Sequence, residues 1–401
     1  MANIMRGNLF FTDKTYSFET VAMLSQTYVG ISDYGEVISA VSKVEEGNGK
    51  TWFEQWTKVA DYLEKTAEKF LRDGHTLSAR DTFIRAWNYR RAAEFFLHDT
   101  AQDRQISIDS SNKAIECFQK TMKFFAGKMD YIEVPYESTT LPSYFWRPDK
   151  SDGPARTLIV HSGFDGTAEQ VLLWFGRQAT ERGYNVIAFE GPGQGSVLRN
   201  KNLIFRHDWE KAVAPVIDYY VDRPEVDPKK IALVGQSIGG YLAPRAAAFE
   251  PRISACVADD GVFDLHAALC KMMSWEASSK AEWDRIAFER IKQDLALRWW
   301  VIDGMWKFGA RTPSEFLNAL QPYNLKSCVK NIRCPTLVMK GAEDHMFPGQ
   351  PEQLYAELNC PKDYLEFNDD YGAGEHTHVG AIGLSNAYIF NWLDSRLGNG
   401  P

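Results

Sequence analysis

Residues 231–240 read IALVGQSIGG, and this stretch decides the fold of the larger part of the chain. A short apolar run typical of a buried strand leads to Ser237, with Gly235 two residues before it and Gly239 two residues after it. Glycines suit a tight turn from a strand into a helix, because side chains there would collide with the neighbouring strand and helix. Such a turn exposes the serine hydroxyl above the sheet, beside the partial positive charge of the helix N-terminus. We therefore predict that Ser237 is a nucleophile.

A serine nucleophile needs a histidine base, and the base needs a carboxylate that orients it. After an elbow of this kind the acid precedes the histidine along the chain. Residues 334–347, CPTLVMKGAEDHMF, read as a strand and a glycine turn that lead to Asp344, with Glu343 as the neighbouring alternative. His376 lies on a predicted loop after the last strand and is the predicted base, whereas His378 is given a surface or supporting role.

Three histidines and three acidic residues near the predicted base superficially resemble a metal site: His345, His376, His378, Glu343, Asp344 and Glu375. No two of them have the helical spacing of an HExxH zinc motif. The six cysteines of the chain are scattered without CxxC spacing. We therefore predict no metal, no disulfide framework and no other cofactor.

A tetrahedral intermediate needs two hydrogen-bond donors for its oxyanion. The backbone N–H of Ile238, next to the nucleophile, is the first predicted donor. The second should come from the loop after an early strand, where residues 161–166 read HSGFDG. We assign it to the backbone of Phe164, with Gly163 as the near alternative.

The periodicity of the remaining chain predicts its architecture. Residues 17–126 have the three-to-four-residue apolar spacing of helices, and the pattern becomes alternating near Met129. Short apolar runs then alternate with helix-length segments, at 157–160, 185–189, 231–234, 255–258 and 336–339. This order predicts the α/β class, with a mostly parallel, doubly wound sheet.

The same pattern gives the predicted domains. An N-terminal helical domain is predicted for residues 1–127 and a catalytic domain for residues 128–401. The alternation stops at about 264–326, where several tryptophan-rich helices are predicted instead. An insertion at that point lies over the carboxyl ends of the strands, where open α/β sheets bind ligands, and we interpret it as a cap.

The bulk composition is that of an ordinary globular protein: 401 residues, 44% hydrophobic and 24% charged. A net charge of −8 and a pI near 5.6 argue against a nucleic acid or an anionic membrane as partner, so a small molecule is expected. The first residues lack the apolar core of a secretory signal, and no apolar run reaches the roughly 20 residues that span a bilayer. A cytoplasmic location is expected.

Several of these motifs together resemble a known family. The stretch GQSIGGYLAPRAAAFEPRISACVADDGVFD, the loop SGFDGTAEQ, GPGQG at 191–195 and GAGEHTHVGA around His376 are similar to α/β-hydrolases with an N-terminal helical domain. That group includes 2,6-dihydroxypseudooxynicotine hydrolase and the yellowish-green-type polyketide-shortening hydrolases. The motifs cover the chain from about residue 130 onward. The predicted N-terminal helical domain resembles that of the family in its helical architecture more than in its individual residues.

The resemblance implies an α/β-hydrolase fold and a triad of Ser237, Asp344 and His376. Several members of the group hydrolyse a carbon–carbon bond beside a ketone, and their loop carboxylate corresponds to Asp165, a substrate-binding residue. Ser162 and Gln170 depart from the family's loop pattern. The expected activity is hydrolysis of such a bond, or of an ester, in a small aromatic or polyketide-like metabolite. The alternatives are an acyltransferase or cyclase with the same triad, and a non-catalytic binding protein; a homodimer is expected.

Overall fold

The computed structural model describes residues 10–149 and 153–398. These residues form two compact units. The helical unit comprises the described residues up to Phe125 together with Arg285–Gly304. The sheet unit comprises Ala126–Asp284 and the described residues from Met305 onward.

Fifteen α-helices occur within the described ranges: α1 (Lys14–Ser25), α2 (Tyr34–Val41), α3 (Gly49–Arg72), α4 (Thr76–Ala93), α5 (Ala101–Gln119), α6 (Ala168–Glu181), α7 (Gly195–Lys201), α8 (Glu210–Tyr220), α9 (Gly239–Ala247), α10 (Leu265–Met272), α11 (Lys280–Arg290), α12 (Leu295–Lys307), α13 (Pro313–Ala319), α14 (Gln350–Glu357) and α15 (Ile382–Leu397). Short 3-10 helices lie at Gln26–Val29, Met122–Phe124, Val329–Asn331, Asp369–Tyr371 and His376–His378. None of the helices in the described ranges is both long enough and apolar enough to cross a bilayer.

The strands of the sheet unit are β1 (Lys128–Tyr136), β2 (Thr139–Arg147), β3 (Ala155–His161), β4 (Asn185–Phe189), β5 (Val226–Gln236), β6 (Ile253–Asp259), β7 (Thr336–Gly341) and β8 (Lys362–Phe367). They form one sheet in the order β1-β2-β4-β3-β5-β6-β7-β8. Strands β1 and β2 pair antiparallel, as do β2 and β4, and the strands from β4 to β8 are parallel. The mostly parallel sheet predicted from the alternation is confirmed.

The centre of the sheet is apolar because helices cover both faces of a parallel sheet, so strand side chains are buried on either side. All five residues of β4 are buried, as are the last six of β5. The parallel strands β5, β6, β7 and β8 all present their carboxyl ends at one edge of the sheet. The loops that follow these ends carry Ser237, Asp260, Asp344 and His376.

The helical unit has an aromatic core. Helix α3 buries Trp52 and Trp56 on one face, as its spacing predicts, and it ends at Arg72 with Asp73 as its C-terminal cap. Trp52 packs edge-on against Tyr16 at 5.1 Å between ring centres, and Trp56 packs against Tyr89 at 5.3 Å. These large rings bury enough apolar area to hold short helices that would be unstable alone.

The domain prediction and the observed units differ in one segment. The change of unit after Phe125 lies close to the predicted boundary at 127, but residues 285–304 of the predicted cap belong to the helical unit. Two contacts account for this. The ring of Trp299 on α12 stacks on Phe95 at 5.0 Å, and Asp303 Oδ1 lies 2.7 Å from His98 Nδ1. The apolar spacing of a helix indicates that one of its faces is buried. It does not indicate which element that face packs against.

Candidate active site

The turn after β5 places Ser237 in a conformation that L-residues rarely adopt. Its φ is +63°, in the left-handed region. A side-chain carbon at Gly235 would overlap the backbone oxygen of Gly239, and one at Gly240 would overlap the backbone oxygen of Asp260. Glycine is therefore required at 235 and 240 for close backbone approach, whereas Gly239 has more room than the sequence analysis assumed, since its nearest neighbour would be 3.3 Å away.

The structure brings the three predicted catalytic side chains together. His376 Nε2 lies 2.9 Å from Ser237 Oγ, and His376 Nδ1 lies 3.0 Å from Asp344 Oδ2. His376 and Asp344 are almost entirely buried, with side-chain exposures of 9% and 4%. This geometry lets the histidine accept the serine proton while a carboxylate fixes its ring.

A second carboxylate, missed in the sequence analysis, also faces His376. Asp260 Oδ2 lies 3.0 Å from His376 Nδ1 and accepts a hydrogen bond of 2.8 Å from the backbone N–H of Thr377. Burial disfavours the charged imidazolium of His376, yet Asp344 and Asp260 together raise its pKa well above the ordinary value. The signal in the sequence was the pair Asp259-Asp260 at the end of a predicted buried strand, where an ionisable side chain has no packing role.

His378 does not lie at the surface. Its ring is fully buried, with Nε2 at 3.1 Å from Asp259 Oδ1 and Nδ1 at 3.0 Å from the backbone oxygen of Ala373. The contact with Asp259 is an ion pair between buried groups. Burial alone would lower the pKa of His378, but Asp259 and Asp260 outweigh it and raise the pKa to about 9. His378 therefore carries a positive charge directly behind Asp260.

The loop after β3 adjoins the predicted oxyanion donor. A side-chain carbon at Gly163 would lie 2.5 Å from the backbone nitrogen of Ile238, so the Gly163 backbone is the part of the loop that faces the elbow. Ile238 immediately precedes α9, where the first N–H groups of a helix have no acceptor within the helix. These positions favour Gly163, the alternative considered above, as the neighbour of the oxyanion.

The ring of Phe164 has a different environment. It stacks at 6.4 Å on Phe205 and at 6.5 Å on Phe308, and the ammonium of Lys307 lies 4.0 Å from its centre. Lys307 is buried. An aromatic cluster with one cation therefore lies beside the oxyanion loop.

Gln194 fixes this loop and was not singled out from the sequence. Its side-chain amide donates to the backbone oxygens of Ser162, at 2.5 Å, and Gly163, at 3.2 Å, while its oxygen accepts from Gly191. The GPGQG motif contained this residue, but Ser162 and Gly163 are 32 and 31 residues away in sequence and no local pattern indicates them. Asp165, in contrast, is half-buried, and within the described part of the chain its carboxylate makes no hydrogen bond or ion pair.

Two groups of described side chains have three potential metal ligands within 4.8 Å of one another. They are Asp259, Asp260 and His378, and Asp260, Asp344 and His376. In the second group both ring nitrogens of His376 already face protein groups, the serine hydroxyl on one side and two carboxylates on the other. This arrangement is that of an acid–base site.

Comparison with known proteins identifies the family of the chain. The profile of the Alpha/beta hydrolase family matches residues 140–369, more than half of the chain. The protein belongs to this family. The hydrolase LUC6 of Fusarium sp is 30% identical over 97% of this chain and 98% of its own length. The 20-hydroxy-prefusarin hydrolase FUS2 of Gibberella moniliformis is 30% identical over 96% of this chain and 97% of its own.

A solved structure gives the same picture at the level of fold. The crystal structure of 2,6-dihydroxy-pseudo-oxynicotine hydrolase matches with a TM-score of 0.75 and 21% identity, covering 94% of this α/β-hydrolase and 96% of that chain. The match extends over both the helical and the sheet regions. The resemblance and the fold class predicted from the sequence are confirmed.

Proposed function

We propose that this α/β-hydrolase is a serine hydrolase that cleaves a carbon–carbon bond beside a ketone, or an ester bond, in a small aromatic or polyketide-like metabolite. The observation that carries the proposal is the continuous hydrogen-bonded chain from Ser237 Oγ through His376 to Asp344. A chain of this kind activates a serine hydroxyl that would otherwise be a poor nucleophile.

In the proposed reaction Ser237 Oγ adds to the substrate carbonyl carbon while His376 Nε2 takes the hydroxyl proton. The oxyanion is stabilised by the N–H of Ile238 and by a second donor from the Gly163–Phe164 segment; one such donor typically contributes about 100- to 1000-fold in rate. Collapse of the intermediate breaks the bond to the leaving carbon, whose electron pair remains as an enolate and takes the proton from His376. Water then adds to the acyl-enzyme with His376 as base, which releases the acid and regenerates Ser237.

The substrate class is inferred from two sources. A relative that aligns along nearly its whole length is named as a hydrolase of 20-hydroxy-prefusarin. The mutually stacked, buried rings of Phe164, Phe205 and Phe308 make the surroundings of the loop after β3 aromatic, and aromatic surroundings suit an aromatic ligand. Asp165, on the same loop, is the proposed hydrogen-bond acceptor for a substrate hydroxyl or enol.

The test uses a serine-directed fluorophosphonate and a panel of β-diketones, acyl phenols and esters with product detection by mass spectrometry. We expect one label per chain, on a peptide that contains Ser237, and turnover of at least one panel member. Ser237→Ala should lose the label and about a million-fold in kcat, as triad removals do. Ser196→Ala, on α7, is the matched control and should label normally. Labelling of Ser237→Ala, or its near-wild-type turnover, would disprove the assignment.

A further inference from the structure

We propose that Asp260 is a second orienting acid for His376, so that the base is held by two carboxylates in place of one. This inference rests on the proposed function, because it concerns the same histidine. Asp260 is a positioning residue in this scheme: it acts on the substrate only through the imidazole.

Both carboxylates contact the same ring nitrogen: Asp344 through a hydrogen bond and Asp260 through an ion pair. Asp260 Oδ2 and Asp344 Oδ2 each lie 3.0 Å from the same atom, His376 Nδ1. The side chain of Asp260 is fully buried and that of Asp344 is 4% exposed, so water does not screen either contact. The two acids come from the loops after neighbouring strands, β6 and β7.

Asp260 is itself held in place. Its Oδ2 accepts from the backbone N–H of Thr377, the residue directly after the base. Its other oxygen lies 3.7 Å from Nε2 of the positively charged His378, which also pairs with Asp259. Asp260 is therefore fixed on both sides, by the backbone next to the base and by the second histidine.

Two carboxylates on one Nδ1–H predict redundancy. In a triad with a single acid, replacing it by asparagine costs about 10⁴-fold, because the imidazole loses the correct tautomer. Here, after Asp344→Asn, the Asp260 carboxylate lies 3.0 Å from Nδ1, so it is placed to accept the Nδ1–H hydrogen bond in place of Asp344 and to keep Nε2 free for the serine proton. We therefore expect losses of about 10- to 100-fold in kcat for Asp344→Asn and for Asp260→Asn, and of about 10⁴-fold only for the double variant.

The pH profile separates positioning from a structural role. The charged groups that face His376 are Asp344 and Asp260, with His378 behind Asp260, and both acids raise the pKa of the base. The enzyme needs neutral His376, so activity falls as pH decreases through that pKa. Each single variant loses one attractive carboxylate, and the acid limb of kcat/KM should therefore shift to lower pH by about one unit or more.

Asp264→Asn is the matched control: Asp264 is a buried aspartate that caps α10, and asparagine caps equally well.

The experiment compares wild type, the two single variants, the double variant and the control, each checked by circular dichroism and by fluorophosphonate labelling. Equal activity in Asp344→Asn and the double variant, with an unchanged acid limb in Asp260→Asn, would overturn the role of Asp260. Should Asp260→Asn fail to fold, ¹⁵N NMR of the histidines in Asp344→Asn decides instead. A Nδ1–H tautomer at His376 supports the proposal, and a dominant Nε2–H tautomer rejects it. Failure of the proposed function is a separate result, since it appears as absent labelling of wild-type Ser237.

Discussion

Two histidines separated by a single residue each have a carboxylate of their own in this protein, and Asp260 lies between them. His376 faces Asp344 and Asp260, and His378 faces Asp259. The chain achieves this with positive φ at Thr377, +51°, and at His378, +57°. Such conformations cost about 1–3 kcal/mol each in residues other than glycine. The hydrogen bond from Thr377 to Asp260 and the ion pair of His378 offset that cost, so the site and the local backbone stabilise each other.

The charge on His378 predicts how stability depends on pH. Its pKa is raised from 6.5 to about 9, so its contribution is fully present below pH 6.5 and is lost as the pH rises through about 9. A rise of this size corresponds to about 3 kcal/mol. Urea unfolding should therefore show wild type more stable than His378→Gln at pH 6, with the difference shrinking by about that amount at pH 9.5.

The exposed His75 supplies the control for this experiment, since His75→Gln should follow the wild-type pH dependence throughout. A difference between wild type and His378→Gln that stays constant from pH 6 to pH 9.5 would contradict the assigned charge.

At the level of elements, the sequence predicted strands well and the partner of a helix poorly. The runs at 185–189 and 336–339 lie within or coincide with β4 and β7, because a buried parallel strand is a continuous apolar run that is visible locally. The turn at Ser237 could likewise be predicted from the sequence, because residues 235–240 contain the glycines that the turn requires. Asp260 and Gln194 could not be assigned roles, because their partners are distant in sequence and nothing in their neighbours specifies the contact.

A buried ionic contact connects helix α12 to the segment after α4. His98 Nδ1 lies 2.7 Å from Asp303 Oδ1 on this helix, and His98 Nε2 lies 2.8 Å from Glu94 Oε2 on the segment after α4. Burial alone would lower the pKa of His98, but the two carboxylates raise it. One imidazolium therefore joins residues that are more than 200 positions apart.

We predict that His98→Ala destabilises the helical unit by about 3–5 kcal/mol, since Glu94 and Asp303 would remain buried without their cation. The measurement is chemical denaturation followed by tryptophan fluorescence, which reports on all 12 tryptophans of the chain, Trp299 among them. His75→Ala, at an exposed position, should change stability by no more than about 0.5 kcal/mol. A loss of similar size in both variants would show that the buried ion pair is not the cause.

On the scale of the whole molecule, the chain passes between the two units three times, after Phe125, after Asp284 and after Gly304. The helical unit is thus not a module joined by one linker. Segment 285–304 belongs to the helical unit, although the residues before it and after it belong to the sheet unit. Truncation at a single predicted boundary consequently divides one hydrophobic core.

Deleting residues 1–125 should therefore give aggregated or inactive protein, because α12 would lose Phe95 and His98 and expose its apolar side chains. Soluble yield, gel filtration and fluorophosphonate labelling measure the outcome. A second truncation that also replaces residues 285–304 by twenty glycine and serine residues should be more soluble than the first. Full solubility and activity of the simple truncation would show that the two segments are independent.

The discontinuity of the helical unit also has a consequence for synthesis. Domains generally fold from the N-terminus as the chain emerges from the ribosome, at about 5–20 residues per second. Here the first unit stays incomplete until Gly304 has emerged, after about 160 further residues of the second unit. That delay is about ten to thirty seconds. During it the aromatic side chains that later pack against α12, such as Phe95, are exposed and accessible to other nascent chains and to chaperones. The helical unit begins to be translated before the sheet unit, but it is complete only after residues 126–284 of the sheet unit have also been made.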